Sequence, residues 1–331
     1  MATRRLIKLE RFGPPGVMSW TDGPLPERGE DDVVVAVEAI GVNFADTMVR
    51  RGEYRRDQPL DFTPGFEVAG TVIDGPAEGP EPGGRVLAFT ENGGGYADHV
   101  VVPRSHVYTV RPEISAVEAA ALFVQGVTAW YSVRRYGRVR EGDWVLVPAA
   151  SGGLGAACIQ LCVELGARSI GAASTEVKLA VARRHGAVAT LLSDPQTLAA
   201  GVRDVTAGHG ADVVLDAVGG PLFMPCMRAL ALNGRYVVMG AASQAPSPFD
   251  ARALLPRGQT IAGVLVARVA ELDSSEPQRA WDEVQARYAA GVLRPELTVL
   301  GPGDFASAHE RIEARTLTGK VVIDLSAAGA D

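Results

Sequence analysis

In the first third of the chain, apolar and polar positions alternate in short β-branched runs. "DDVVVAVEAIGVN" (31–43), "PGFEVAGTVID" (64–74), "GGRVLAF" (83–89) and "GGYADHVVVP" (94–103) are bounded by Gly, Pro, Asp or Asn, as strands between turns are. Short strands with frequent turns predict a barrel or sandwich. "DGPAEGPEPGG" (74–84) reads as a surface loop. From residue 115 the period changes. "SAVEAAALFVQGVTAWYSV" (115–133) predicts a helix with Ser115 as N-cap and Glu118 closing a capping box.

Strands and helices then alternate. Strand "DWVLVPA" (143–149) leads to helix "LGAACIQLCVELGA" (154–167), and strand "RSIGAAS" (168–174) to helix "EVKLAVARRHGA" (176–187). Strand "ADVVLDAVG" (211–219) leads to helix "PLFMPCMRALALNG" (221–234), and "RYVVMGAA" (235–242) is a further strand. Strands separated by helices of this length predict parallel βαβ units in a doubly wound sheet, so the class is α/β. Beyond residue 268 come helix "EPQRAWDEVQARYAAG" (276–291), short strands and helix "FASAHERIEART" (305–316); "LSAAGAD" (325–331) reads as a frayed tail. The chain holds no internal repeat.

Composition narrows the partners. The 331 residues are 47% hydrophobic, enough for two packed cores. A net charge of −7 lacks the basic field that draws proteins to nucleic acid. The start "MATRRLIKLERFGPPG" does not read as a signal peptide, and no apolar run is long enough to span a bilayer. Cys158, Cys162 and Cys226 stand in apolar surroundings, which fits a reducing cytoplasm better than a disulfide scaffold.

The chemistry starts at "PAASGGLGAA" (148–157), a glycine turn between a strand and an amphipathic helix. A dinucleotide fold needs a tight turn there, with backbone N–H groups close to a pyrophosphate at the helix N-terminus. Ser151, Gly152, Gly153, Leu154 and Gly155 would supply it, with Ala150 in place of the usual first glycine. The alternative is a turn whose glycines serve only packing. NAD sites place an acid about 20 residues on, for the ribose 2′-OH. Here the next strand ends in Ala173, followed by Ser174, Thr175 and, one helical turn on, Lys178. Hydroxyls and a lysine suit a 2′-phosphate, so the expected cofactor is NADPH. Glu176 is the nearest acid, and a solvated Lys178 is the bland alternative.

Several motifs, in order, resemble the zinc-independent quinone oxidoreductases of the medium-chain dehydrogenase/reductase superfamily. They are "GVNFADTMVRRGEY" (41–54), "PGFEVAGTV" (64–72), "VQGVTAWYSV" (124–133), "VPAASGGLGAACIQLC" (147–162) and "GAASTEVK" (171–178). The resemblance implies a GroES-like β-barrel catalytic domain over 1–122 with 264–331, and a Rossmann NADP-binding domain over 123–263. Zinc relatives take their ligands at places occupied here by Asn43, Phe66 and either Val124 or Gln125. Catalytic zinc takes its protein ligands from Cys, His and carboxylates, so no metal is expected.

The resemblance also implies roles. Asn43 would lie beside the nicotinamide and orient a carbonyl or cofactor group, unless local backbone satisfies it. Tyr54 would donate a hydrogen bond or proton to the developing enolate, or be a rim residue. Phe44, Tyr54 and Gln125 would face the substrate. Thr128, Gly240, Ala241 and Lys320 would contact the cofactor, Lys320 at its phosphates or else as a surface lysine. Ser193 stands where many relatives have a ring near the adenine. Arg55 and Arg56 line the implied substrate mouth, as a solvated edge or as contacts to an acidic or phosphorylated carrier. "QTIAGVLV" (259–266) reads as an edge strand paired in a homodimer. The expected activity is NADPH-dependent hydride transfer to a quinone or α,β-unsaturated carbonyl. The alternatives are an enoyl reductase acting on a carrier-bound or CoA thioester, and an NADPH-binding sensor or scaffold.

Overall fold

The computed structural model describes residues 2–55, 59–273 and 275–326, with the side chains of 270–272 left aside. Arg56 and positions 327–331 of the expected tail lie outside the described residues. By its internal contacts the chain divides into Met1–Val124 with Leu297–Asp331, and Gln125–Glu296. The first boundary falls beside the expected 122. The second falls beyond the expected 264, because the helix over 276–289 packs within the second unit: its Val284 side chain lies against the bare face of Gly126.

In the first unit β1 (Thr3–Ile7) pairs antiparallel with β2 (Trp20–Pro24). Then come β3 (Asp32–Val42), α1 (Phe44–Arg51), β4 (Glu67–Asp74), β5 (Arg85–Phe89), β6 (His99–Pro103) and β7 (Val107–Thr109); the division of the chain falls within α2 (Ala116–Trp130). The second unit runs β8 (Trp144–Pro148), α3 (Gly153–Glu164), β9 (Arg168–Ala173), α4 (Glu176–Arg184), β10 (Ala189–Leu192), α5 (Leu198–Val205) and β11 (Ala211–Asp216). It continues through α6 (Phe223–Ala229), β12 (Leu230–Val238), β13 (Thr260–Gly263), α7 (Val266–Leu272) and α8 (Glu276–Ala289). β14 (Leu297–Leu300), α9 (Phe305–Glu313) and β15 (Lys320–Asp324) belong to the first unit.

The first unit is built on β3. Its one edge takes β15 along residues 39–42 and β6 along 32–36, and its other edge takes β4. The seven-stranded sheet follows the order β14-β15-β3-β4-β5-β7, with β6 on β3. Among the described residues the strand path of the expected GroES-like domain stays open: β14 and the three-residue β7 pair on one side only. Val33, Val35, Ile40, Val68 and Leu87 fill the core at or near zero exposure. The predicted capping box holds. Glu118 Oε2 accepts from Ser115 N at 2.8 Å, and Glu118 N donates to Ser115 Oγ at 3.2 Å.

The second unit carries six parallel strands in the order β10-β9-β8-β11-β12-β13. Numbered along the chain this is the order 3-2-1-4-5-6 of dinucleotide folds, with its switch point between β8 and β11. Leu146, Ile170, Val214, Phe223, Cys226 and Tyr236 pack the sheet against its helices. The expected helix over 221–234 is cut short. It ends at Ala229, and "LALNG" opens β12 instead, because Leu230 and Ala231 are buried in the sheet and Asn233 turns the chain at positive φ. β10 and α5 were not anticipated: β10 is a four-residue edge strand and α5 is an eight-residue helix with Gly201 in its middle.

Candidate functional site

In the second unit the turn after β8 has a separate reason for each glycine. Ala149 takes the left-handed conformation (φ 53°), and Gly152 N donates back to Ala149 O at 3.0 Å. A Cβ on Gly155 would lie 2.4 Å from Ala149 O, so this glycine lets the helix start against the strand end. A Cβ on Gly153 would meet Gln125 Oε1 at 1.8 Å, so the two residues brought together here share one space. Gly152, the N-cap of α3, meets nothing closer than 3.5 Å and keeps an open approach. Ser151 is buried beside it, and Leu154 is half-buried on the first turn of α3. Thr128 is buried on α2.

At the end of β9, Ser174 and Thr175 are exposed and Lys178 is half-buried. Thr175 Oγ1 caps α4 by accepting from Lys178 N at 3.4 Å, so its oxygen already has a structural partner. Glu176, the acid in question, reaches toward Arg183 instead, at 3.5 Å. Ser193 N donates to Ala173 O, which fixes the start of the following loop. Gly240 and Ala241 follow β12. A Cβ on Gly240 would press on Ala217 O at 3.0 Å. Beside them the buried Asp216 carboxylate closes the end of β11, accepting from Val218 N (2.7 Å), Gly219 N (3.1 Å) and the Tyr236 hydroxyl (2.5 Å). Sequence reasoning passed over Asp216. Its signal was an acid directly after the apolar run "VVL" (213–215).

In the first unit Asn43 is the N-cap of α1, and its backbone N donates to Asp46 Oδ2 at 2.7 Å. Its side chain meets Glu67 and Lys320. Asn43 Nδ2 donates to Glu67 Oε1 at 2.9 Å, and Lys320 Nζ donates to Asn43 Oδ1 at 2.6 Å and Glu67 Oε1 at 2.5 Å. Glu67 Oε2 accepts from Val124 N at 2.8 Å. Glu67 and Lys320 side chains are wholly buried. This corrects the expectation for Lys320, which is neither a surface lysine nor free to reach a phosphate. β15 pairs with β3 so that Val321 faces Val42, and Lys320 lands against Asn43. Glu67 was also passed over, although an acid inside an apolar strand demands a partner.

Asp46 is fully buried, and desolvation raises its carboxyl to about 7. Tyr96 faces it, with its hydroxyl 2.9 Å from His309 Nε2, and Arg50, one turn along α1, pairs with Glu313. Burial first, then Arg50 and Arg51, lowers His309 to about 3. Tyr54 is half-buried, with its ring 5.2 Å from Phe66. Burial pushes its phenol above the ordinary tyrosine value, with Arg55 pulling the other way, so it stays a donor at neutral pH. Arg55 is exposed and donates to Asn92 Oδ1 at 3.2 Å; Phe44 opens α1 half-buried.

These residues do not fit a zinc ion. The Asn43 amide is held by an ammonium and a carboxylate, Phe66 has no donor, and Val124 offers only a backbone N–H already bonded to Glu67. Among the described residues no three His, Cys, Asp or Glu side chains gather as a metal site. Cys158, Cys162 and Cys226 are free, buried thiols, and burial pushes Cys162 up to about 12. His99 lies against Asp98 and His106 near Glu91.

Comparison with known proteins adds the family. The models described as "Alcohol dehydrogenase GroES-like domain" and "Zinc-binding dehydrogenase" match residues 29–112 and 153–286. A quinone oxidoreductase-like protein 2 homolog of Nematostella vectensis is 32% identical over 301 residues, 89% of this chain and 82% of that one. A quinone oxidoreductase of Sus scrofa is 28% identical, with 96% of each chain covered. Among solved structures, the quinone oxidoreductase of Pseudomonas syringae pv. Tomato DC3000 superposes with a TM-score of 0.91 at 29% identity, covering 97% of this chain and all of that one. The Escherichia coli quinone oxidoreductase, solved in complex with NADPH, superposes at 0.88 with 25% identity, covering 98% of this chain and 100% of that one. With both domain models matched in order and the identity spread over nearly its whole length, this chain belongs to the medium-chain dehydrogenase/reductase superfamily, as a quinone oxidoreductase-like member.

Proposed function

We propose that the protein is an NADPH-dependent oxidoreductase that reduces a quinone or an α,β-unsaturated carbonyl compound without zinc. The observation that carries the reading is the end of β9. Ala173 closes the strand with no carboxylate, and Ser174 and Lys178 follow on the side where a 2′-phosphate would lie. The NADPH-bound Escherichia coli relative supports the same cofactor. Gly152 and the first turn of α3 receive the pyrophosphate; Ser151, Gly153, Leu154 and Gly155 shape that turn. Thr128, Thr175, Gly240 and Ala241 complete the cofactor contacts.

When bound, the nicotinamide supplies a hydride. The protein orients and protonates. Asn43 holds a carbonyl or carboxamide in place, and Phe44 and Gln125 line the substrate side. Tyr54, a protonated phenol at neutral pH, donates a hydrogen bond to the oxygen that gains negative charge. Three buried free thiols accord with a cytoplasmic protein, and among the described residues no helix is long and apolar enough to cross a membrane.

The test is NADPH oxidation, followed by absorbance, over a panel of quinones, enones and acyl thioesters. Turnover of quinones or enones ahead of thioesters is expected. Tyr54→Phe lowers that turnover about 10- to 100-fold, the loss of one hydrogen bond to developing charge, with NADPH affinity nearly unchanged. A preference for thioesters points to the enoyl reductase alternative, and tight binding without turnover to the sensor.

A further inference from the structure

Asn43 is held by opposite charges at the two ends of its amide. An asparagine amide has nearly isosteric ends, and with neutral partners it turns over at little cost. Here Oδ1 accepts from the Lys320 ammonium at 2.6 Å and Nδ2 donates to the Glu67 carboxylate at 2.9 Å. A turned amide would set its oxygen against the carboxylate and its NH2 against the ammonium. Both contacts would be repulsive, and at wholly buried side chains there is no water to screen them.

The two charges are themselves fixed. Glu67 Oε2 accepts from Val124 N at 2.8 Å, and its stem passes over Gly41, where a Cβ would meet Glu67 Cγ at 2.6 Å. Lys320 is set by the register of β15 on β3. β3, β4, α1, α2 and β15 thus converge on one amide. A buried ion pair seldom out-stabilises apolar residues of the same volume. What this pair adds is direction at Asn43. Oδ1, and the Nδ2 hydrogen that has only a 3.4 Å contact to Gly41 O, are held in one orientation.

We propose that Glu67 and Lys320 are positioning residues, which lock the Asn43 amide in a single orientation for the reaction. The proposal rests on the reading that Asn43 touches the reactants. The test is a cycle between Asn43→Ala and the paired neutral variant Glu67→Gln/Lys320→Met, which removes both charges and leaves no lone buried ion. Turnover is measured with NADPH and the best quinone or enone of the panel.

If the pair acts through Asn43, the neutral pair lowers kcat at least about 10-fold in the native background and less than about 2-fold once Asn43 is alanine. Equal losses in both backgrounds, or no loss in the native one, overturn the positioning role. A second readout needs no turnover. In nitrogen-15-edited nuclear Overhauser spectra, the Asn43 NH2 pair is identified by its absence in Asn43→Ala. Its protons should show stronger contacts to the side chain at position 67 than to that at position 320 in the native protein, and the two should even out in the neutral pair, as the oppositely charged partners are lost. An unchanged ratio of contacts overturns the locking. An Asn43→Ala variant that turns over normally overturns instead the reading that Asn43 touches the reactants, while the contact ratio still tests the lock.

Discussion

Single residues carry their chemistry through burial. Asp46 and His309, in the core of the first unit, make opposite demands on pH. Desolvation raises Asp46 from 3.8 to about 7, so between those values the folded state binds a proton that the unfolded state has lost, and stability falls as pH rises. Burial lowers His309 from 6.5 to about 3, so between those values the unfolded state binds the extra proton, and stability rises with pH. Between pH 4.5 and 6.5 the two nearly cancel. Each variant should unmask the other residue. Relative to the native protein, Asp46→Asn gains stability from pH 4.5 to 6.5, and His309→Gln loses it, by up to about 3 kcal/mol each way. Urea titrations at the two pH values check this. Parallel curves for the three proteins would contradict it. None of this was legible in the sequence, where Asp46 stood unremarked inside "GVNFADTMVRRGEY" and His309 inside the helix "FASAHERIEART". Lys320 read as a phosphate ligand or a surface lysine for the same reason: its partners, Asn43 and Glu67, are distant in the chain.

At the scale of elements, the turn between β8 and α3 was the most legible feature. Its strand, glycines and helix lie adjacent in sequence, so local pattern suffices to find them. The roles of its glycines were not legible, since they depend on Ala149 O and Gln125. Two substitutions separate packing from binding. Gly155→Ala forces a Cβ against backbone at 2.4 Å and should cost about 1–3 kcal/mol, seen as a lower Tm. Gly152→Ala meets only an ordinary contact at 3.5 Å and should leave Tm within a degree or two, while weakening NADPH by filling the approach to the pyrophosphate. If both variants lower Tm alike and neither touches cofactor affinity, the turn is a packing device. The α6–β12 junction was misread because "ALALNG" has helical propensity, and burial of Leu230 and Ala231 overrode it. α5 offered Leu198, Val202 and Val205 at helical spacing over just eight residues, too short a signal to stand out.

Across the whole molecule, motif order gave the two-part organisation, and contacts moved the return to the first unit from 264 to Leu297. We propose that the exposed edge of β13 pairs in a homodimer. Among the described residues it is bonded only to β12, and Leu265, just beyond it, is 54% exposed. Light scattering at micromolar concentration should give twice the 34.7 kDa chain mass, and the monomer mass would contradict the pairing. The central claim is the cofactor, and one comparison tests it most directly: the affinities for NADPH and NADH at low ionic strength, for the native protein and Lys178→Ala. The pyrophosphate turn is common to both cofactors, so the difference must arise after β9. One or two charge-assisted contacts of about 1.5–3 kcal/mol each, discounted for exposure, give NADPH a preference of about 10- to 1000-fold. Lys178→Ala should lose much of that preference with NADH affinity nearly unchanged, and salt should shrink it in the native protein. NADH binding as tightly as NADPH would contradict the account.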